Sequence, residues 1–166
     1  GRILLVIETA LRNTGIITEQ IWLEATERGF MDVKSARTTI EEARRRGHSV
    51  AIDDFGTGYS SLQYLQELPL DALKIDKSFI DTIGTDSATS SITPHIIDIA
   101  KSLDLYIVAE GIERQEQADY LIERGVQYGQ GWLFSKALPA AEFIAFYNDS
   151  KRRLGAGPAV IRREIA

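Results

Sequence analysis

An α/β fold built on a parallel sheet is what this sequence predicts, and three observations carry the prediction. Short apolar runs alternate with helix-length amphipathic segments along most of the chain. Each run is apolar on both faces, as a strand must be when helices cover both sides of a parallel sheet. Each run also ends on a residue that can ionise or bind a cation. That places chemistry at the C-terminal edge of the sheet, where parallel α/β folds hold their ligands.

The elements follow in order. Residues 2–13 read as an opening helix with no strand before it, and Ile21-Trp22-Leu23 is the first strand. The next helix, about 33–46, has Asp32 as N-cap, Val33, Ala36, Ile40 and Ala43 along one face, and Gly47 at its exit. Val50-Ala51-Ile52 is the second strand, followed by a helix over about 60–67; the third strand is 72–75, followed by a helix over about 94–103. The fourth strand is 106–109, followed by a helix over about 115–124; a weaker fifth strand spans 126–129. Pro139 stands near the first turn of a closing helix, about 140–151. Five βα units fit either a small doubly wound sheet or a piece of a (β/α)8 barrel, which takes ~250 residues. Length favours the first; the strand-end residues favour the second. Residues 1–150 read as the domain. Residues 151–166 read as a basic tail, with Lys151, Arg152, Arg153, Arg162 and Arg163 around the breaker Gly155-Ala156-Gly157-Pro158.

Composition narrows the chemistry. The 166 residues include 19 basic and 24 acidic side chains, a formal net charge of −5, with 44% apolar residues. A chain of this kind buries a real core without disulfide or metal staples. The acidic balance speaks against a DNA-binding surface. With no Cys, thiolate zinc sites, disulfides and cysteine nucleophiles are excluded. Unbroken apolar runs such as 3–7 are far too short to span a membrane. A first residue of Gly1 reads as a processed or excised chain.

The strand ends carry Glu24, with Glu27 three residues on; the pair Asp53-Asp54; Lys74, followed by Asp76; Glu110, with Glu113 after it; and Gln130. Any one acid also reads as a helix cap or a surface ion pair. Together they read as a site. Converging carboxylates repel unless protonated or neutralised by cations. With two His and no thiol the natural donors are hard oxygens, which suit Mg²⁺ or Mn²⁺. Two such ions are the usual clamp for attack of water on a phosphodiester. In that chemistry Lys74 holds the water and Glu110 takes its proton. In Asp53-Asp54-Phe55-Gly56-Thr57-Gly58 the two glycines permit a tight turn, and consecutive carboxylates can face different ions; the plainer reading is a βα turn with a capping Asp. Trp22 and Trp132 read as core or wall aromatics, Arg44-Arg45-Arg46 as a solvated helix end, and His48 and His95 as structural or exposed.

Five segments, in order, closely resemble the EAL-domain cyclic di-GMP phosphodiesterases. They are Glu24-Ala25-Thr26-Glu27, Asp53-Asp54-Phe55-Gly56-Thr57-Gly58-Tyr59-Ser60-Ser61-Leu62, Leu73-Lys74-Ile75-Asp76-Lys77-Ser78-Phe79, Ala109-Glu110-Gly111-Ile112-Glu113 and Gln130-Gly131-Trp132-Leu133-Phe134-Ser135. The resemblance implies a TIM-like (β/α) barrel that hydrolyses cyclic di-GMP to linear pGpG with two Mg²⁺ or Mn²⁺ ions. It implies Glu24 and Asp53 as metal ligands, Asp54 as a ligand of the second ion, and Lys74 on the catalytic water. Glu110 would be general base or a ligand beside it. Glu113 and Asp76 would support the cluster, Glu27 would brace the Asp-Asp-Phe-Gly-Thr-Gly loop, and Gln130 would line the site. It further implies a homodimer, a cytoplasmic location and fusion to an upstream sensory region. The family's opening Glu-Ala-Leu strand, and the next strand with its metal-binding Asn, have no counterpart in these residues. The barrel is therefore expected to be incomplete, lacking its first two strands. A non-catalytic module that binds cyclic di-GMP or a protein is the alternative. Trp132, Lys136 and Ala137 stand where members often have Tyr or Phe, Arg and Pro.

Overall fold

The computed structural model describes residues 2–12, 14–26, 32–56 and 62–154. The expectations for Glu27, for the loop from Thr57 to Ser61 and for the tail beyond Leu154 lie outside them. The described residues hold five strands: β1 (Trp22–Thr26), β2 (Ser49–Phe55), β3 (Ala72–Ile75), β4 (Tyr106–Ala109) and β5 (Tyr128–Gly129). They follow the parallel sheet order β1-β2-β3-β4-β5. The helices are α1 (Arg2–Arg12), α2 (Val33–Arg45), α3 (Leu62–Glu67), α4 (Lys77–Ile80), α5 (Ile92–Ser102), α6 (Gln115–Glu123) and α7 (Ala140–Leu154). The α/β class read from the sequence is the one observed. No helix among the described residues is long and apolar enough to cross a membrane.

The chain divides into two compact units. The first comprises the chain up to Lys74 with Ala100–Leu105. Its core is Leu4, Ile40, Ala43, Val50, Ala51, Ile52, Leu70, Ala72 and Leu73, all buried. Asp32 caps α2 by accepting from the amides of Lys34 and Ser35, as its position before an amphipathic run requires. Gly47, at φ +93°, takes the chain out of that helix. Asp71 accepts from the Val50 amide at 2.9 Å and pairs with Arg44, which pins the start of β2. β1 corrects the sequence reading: it is not buried on both faces, and Trp22 is exposed. As the terminal strand of the order, it pairs with β2 alone among the described residues.

The arginine cluster differs from expectation too. Arg46 is half-buried and pairs with Glu8 and Glu42, so it joins α1 to α2 rather than standing in solvent. His48 is buried, with Nδ1 3.2 Å from the Ile21 carbonyl, while His95 is exposed.

The second unit comprises Ile75–Ile99 and the chain from Tyr106 onward. Ile75, Phe79, Ile80, Ile97, Ile107, Ala109, Ile112 and Leu121 fill its core. Glu110 donates its backbone amide to the Ile75 carbonyl, and Gln130 donates its own to the Ala109 carbonyl. These bonds carry the strand pairing one step past the ends of β4 and β5, so the residues that follow emerge in register. α7 continues to Leu154, past the position where the tail was expected to begin.

Candidate active site

In the first unit the β1–β2 register places Glu24 opposite Ala51 and Thr26 opposite Asp53. Partnered residues of parallel strands share a face, as do residues two apart along one strand, so Glu24 and Asp53 lie on the same face. Lys74 of β3 meets them there: its ammonium is 2.8 Å from Glu24 Oε2 and 2.9 Å from Asp53 Oδ1. Lys74 is 5% exposed. An ammonium taken that far from water needs anionic partners, and these two carboxylates serve.

Asp54 follows at φ +54°, a left-handed conformation that costs most residues energy and that a short polar side chain tolerates best. Regular alternation would send Asp53 and Asp54 to opposite faces. Instead each offers a carboxylate oxygen within 4.8 Å of the other's. Asp53 Oδ1 is buried and has no hydrogen-bond partner among the described residues, so its approach to Lys74 is charge pairing outside hydrogen-bond geometry. A buried carboxylate oxygen that accepts no hydrogen bond, next to a second carboxylate, in a chain without thiols, is a hard-oxygen donor set. It fits a hard divalent cation.

In the second unit Glu110 and Gln130 come together at the ends of β4 and β5. Gln130 donates from Nε2 to Glu110 Oε1 at 2.9 Å. Glu113 turns to Lys77, whose ammonium lies 2.9 Å from Glu113 and 2.8 Å from Asp81. The Asp81 hydrogen bond first, and the Glu113 one second, hold the Lys77 ammonium above the ordinary lysine range. Asp76 caps α4 by accepting from the Ser78 amide at 3.0 Å. Burial acts to raise its pKa, but the hydrogen bonds from the Ser78 hydroxyl and from the Ser78 and Lys77 amides outweigh it and hold the carboxyl below the ordinary range.

Sequence reasoning missed three residues here. Gln117 is fully buried; it accepts from the amides of Glu113 and Arg114 and donates to the Ile80 carbonyl. Lys77 pairs with Glu113, and only its i,i+4 spacing to Asp81 was visible in sequence. Gly111, at φ +67°, lies against the Lys77 stem: a Cβ added there would meet Cβ and Cδ of Lys77 at 2.7 Å and run into Cγ. Trp132 is not a core aromatic. It is 64% exposed, in the turn beyond Gly131, with the Lys136 ammonium 5.0 Å from its ring centre.

The sequence model of the EAL domain matches residues 3–137. This chain belongs to the EAL domain family. One relative of the EAL chain is the probable cyclic di-GMP phosphodiesterase PdeB of Escherichia coli (strain K12). It is 54% identical over 125 residues, covering 75% of this chain and 23% of PdeB. Among solved structures, the EAL enzyme Bd1971 in its cAMP- and cyclic-di-GMP-bound form is 40% identical with a TM-score of 0.79. That match covers 83% of this chain and 37% of that one. The manganese/cyclic-di-GMP complex of Klebsiella pneumoniae BlrP1 is 29% identical with a TM-score of 0.72, over 80% of this chain and 34% of BlrP1. The EAL chain spans 20% to 34% of the length of the first curated relatives it matches. The fold shared with these neighbours is the TIM-like α/β one.

Proposed function

We propose that this chain carries cation-holding and proton-transferring residues of a cyclic di-GMP phosphodiesterase, which hydrolyses cyclic di-GMP to linear pGpG. The observation that carries the reading is the buried ammonium of Lys74 between Glu24 and Asp53, within the residues that match the EAL domain. Support for the substrate comes from the relatives named above. Glu24, Asp53, Asp54 and Glu110 would hold two divalent cations, Mg²⁺ or Mn²⁺. When bound, such ions offset phosphate charge and make water more acidic. Lys74 donates to the oxygen of the attacking water, and Glu110 takes the proton that this water gives up. The water oxygen bonds to phosphorus as the bond to the ribose oxygen breaks, and that oxygen leaves with the electron pair and takes up a proton from solvent. Gln130 orients Glu110 through its amide. Glu113 and Asp76 support the loops that present these groups. The same reading places the protein in the cytoplasm as a homodimer that takes its input from a fused sensory region.

The test is incubation of the chain with cyclic di-GMP and Mn²⁺ or Mg²⁺, beside a chelated control, with pGpG separated by chromatography. Product that depends on the metal is the expected result. Cyclic di-GMP binding that persists in chelator, with no product, would replace this reading with that of a binding module.

A further inference from the structure

Lys77 is not among the strand-end residues, yet it touches the loop that follows Glu110 at two points. Its stem packs over Gly111, whose φ of +67° and missing Cβ make room for it. Its head holds Glu113 at 2.9 Å. The base of Lys77 is itself fixed, because Asp76 caps the turn that starts α4. The backbone of the loop is fastened by other bonds: Glu110 to Ile75, Ile112 to Gln130, and Glu113 to the buried Gln117. What those bonds do not set is where the two carboxylates go. Glu110 and Glu113 are like charges on one short loop, and a cation that takes one of them leaves the other to its amide partner.

The ion pairs of Lys77 are too exposed to be a main source of stability. We infer that Lys77 is a positioning residue for Glu110. It pins the Gly111 backbone under its stem and draws the Glu113 carboxylate aside, so that Glu110 meets Gln130. This rests on the proposed function for its catalytic meaning, but the placement of Glu110 can be read without metal or substrate.

The experiment compares Lys77→Arg, Lys77→Met and Lys77→Ala in the full chain. The first readout is the side-chain amide of Gln130 in ¹H–¹⁵N spectra of the metal-free protein. That resonance reports the hydrogen bond to Glu110. Expected is displacement toward the position of an unbonded amide in Lys77→Met and Lys77→Ala, and the wild-type position in Lys77→Arg. The second readout is Mn²⁺ affinity by electron paramagnetic resonance. Lys77→Met should weaken it about tenfold, the loss typical when a supporting partner of a ligand is removed. The same substitution should weaken it no further in a Glu110→Gln background. An unmoved Gln130 amide in Lys77→Met and Lys77→Ala overturns the inference. So does an undiminished Lys77→Met effect in the Glu110→Gln background. If the wild-type chain binds no Mn²⁺, the metal reading falls, and the Gln130 amide alone decides the role of Lys77.

Discussion

In the first unit the strand-end carboxylates of Glu24 and Asp53 face a buried ammonium at 2.8 and 2.9 Å; in the second, Glu110 faces an amide at 2.9 Å. The distances are nearly equal and the physics is not. An ion pair is a Coulombic contact that tolerates poor alignment, and the Asp53 Oδ1–Lys74 contact is indeed out of line for a hydrogen bond. An amide-to-carboxylate hydrogen bond is directional and weakens steeply when bent. The first set therefore depends on charge and the second on backbone shape. The local backbone agrees. Beyond Glu110 the chain needs a glycine in the left-handed region under a lysine stem, and beyond Asp53 it places a charged residue in that region instead.

The largest expected effect breaks the charged set. In an active EAL domain, Asp53→Asn or Lys74→Ala should lower cyclic di-GMP turnover by about 100-fold or more, the usual loss when a preorganised charged contact is removed. Near-normal pGpG formation from both would remove the distinction between the sets. A change of shape should act on the second set. Gly111→Ala should cost about 1–3 kcal/mol through its strained φ, measured as a lower urea midpoint. Its Cβ would also run into the Lys77 stem, so Lys77→Ala should recover part of that loss. Full additivity of the two would mean that the stem does not press on the loop.

Much of this was legible in the sequence, and the parts that were not have physical reasons. The third and fourth strands, Ala72–Ile75 and Tyr106–Ala109, appear where their apolar runs put them. β2 was read as ending at Ile52 but runs on through Asp53 and Asp54 to Phe55, because aspartate is a poor strand residue and propensity cannot show that site residues extend a strand. β5 is shorter than its run, with Val126 buried ahead of it. The charged and amide residues at the strand ends were visible because a parallel sheet collects its chemistry at one edge. The role of Lys77 was not, since its partner Glu113 belongs to a different loop and local spacing says nothing of it. The exposure of Trp22 and Trp132 was missed for a related reason: size and apolarity indicate burial only where something covers the residue.

The smallest effect is a pH dependence in the second unit. The Asp76 carboxyl is held below its ordinary range, with the Ser78 and Lys77 donors outweighing burial. A depressed folded-state pKa means stability that is complete above the unfolded value, about 4, and lost as pH falls through the folded one. Urea midpoints should therefore decline below about pH 4, and Asp76→Asn should flatten part of that decline. An identical pH profile in the variant would mean that the cap contributes nothing.

The most direct measurement is the Mn²⁺ affinity of the chain carrying Asp53→Asn, set beside that of the unsubstituted chain. Asparagine keeps the shape of the side chain and removes its charge. Affinity weakened tenfold or more is the expected result, because a hard cation held by carboxylates loses one of them. Equal affinity in the two chains would contradict the assignment of the first unit's acids to the metal.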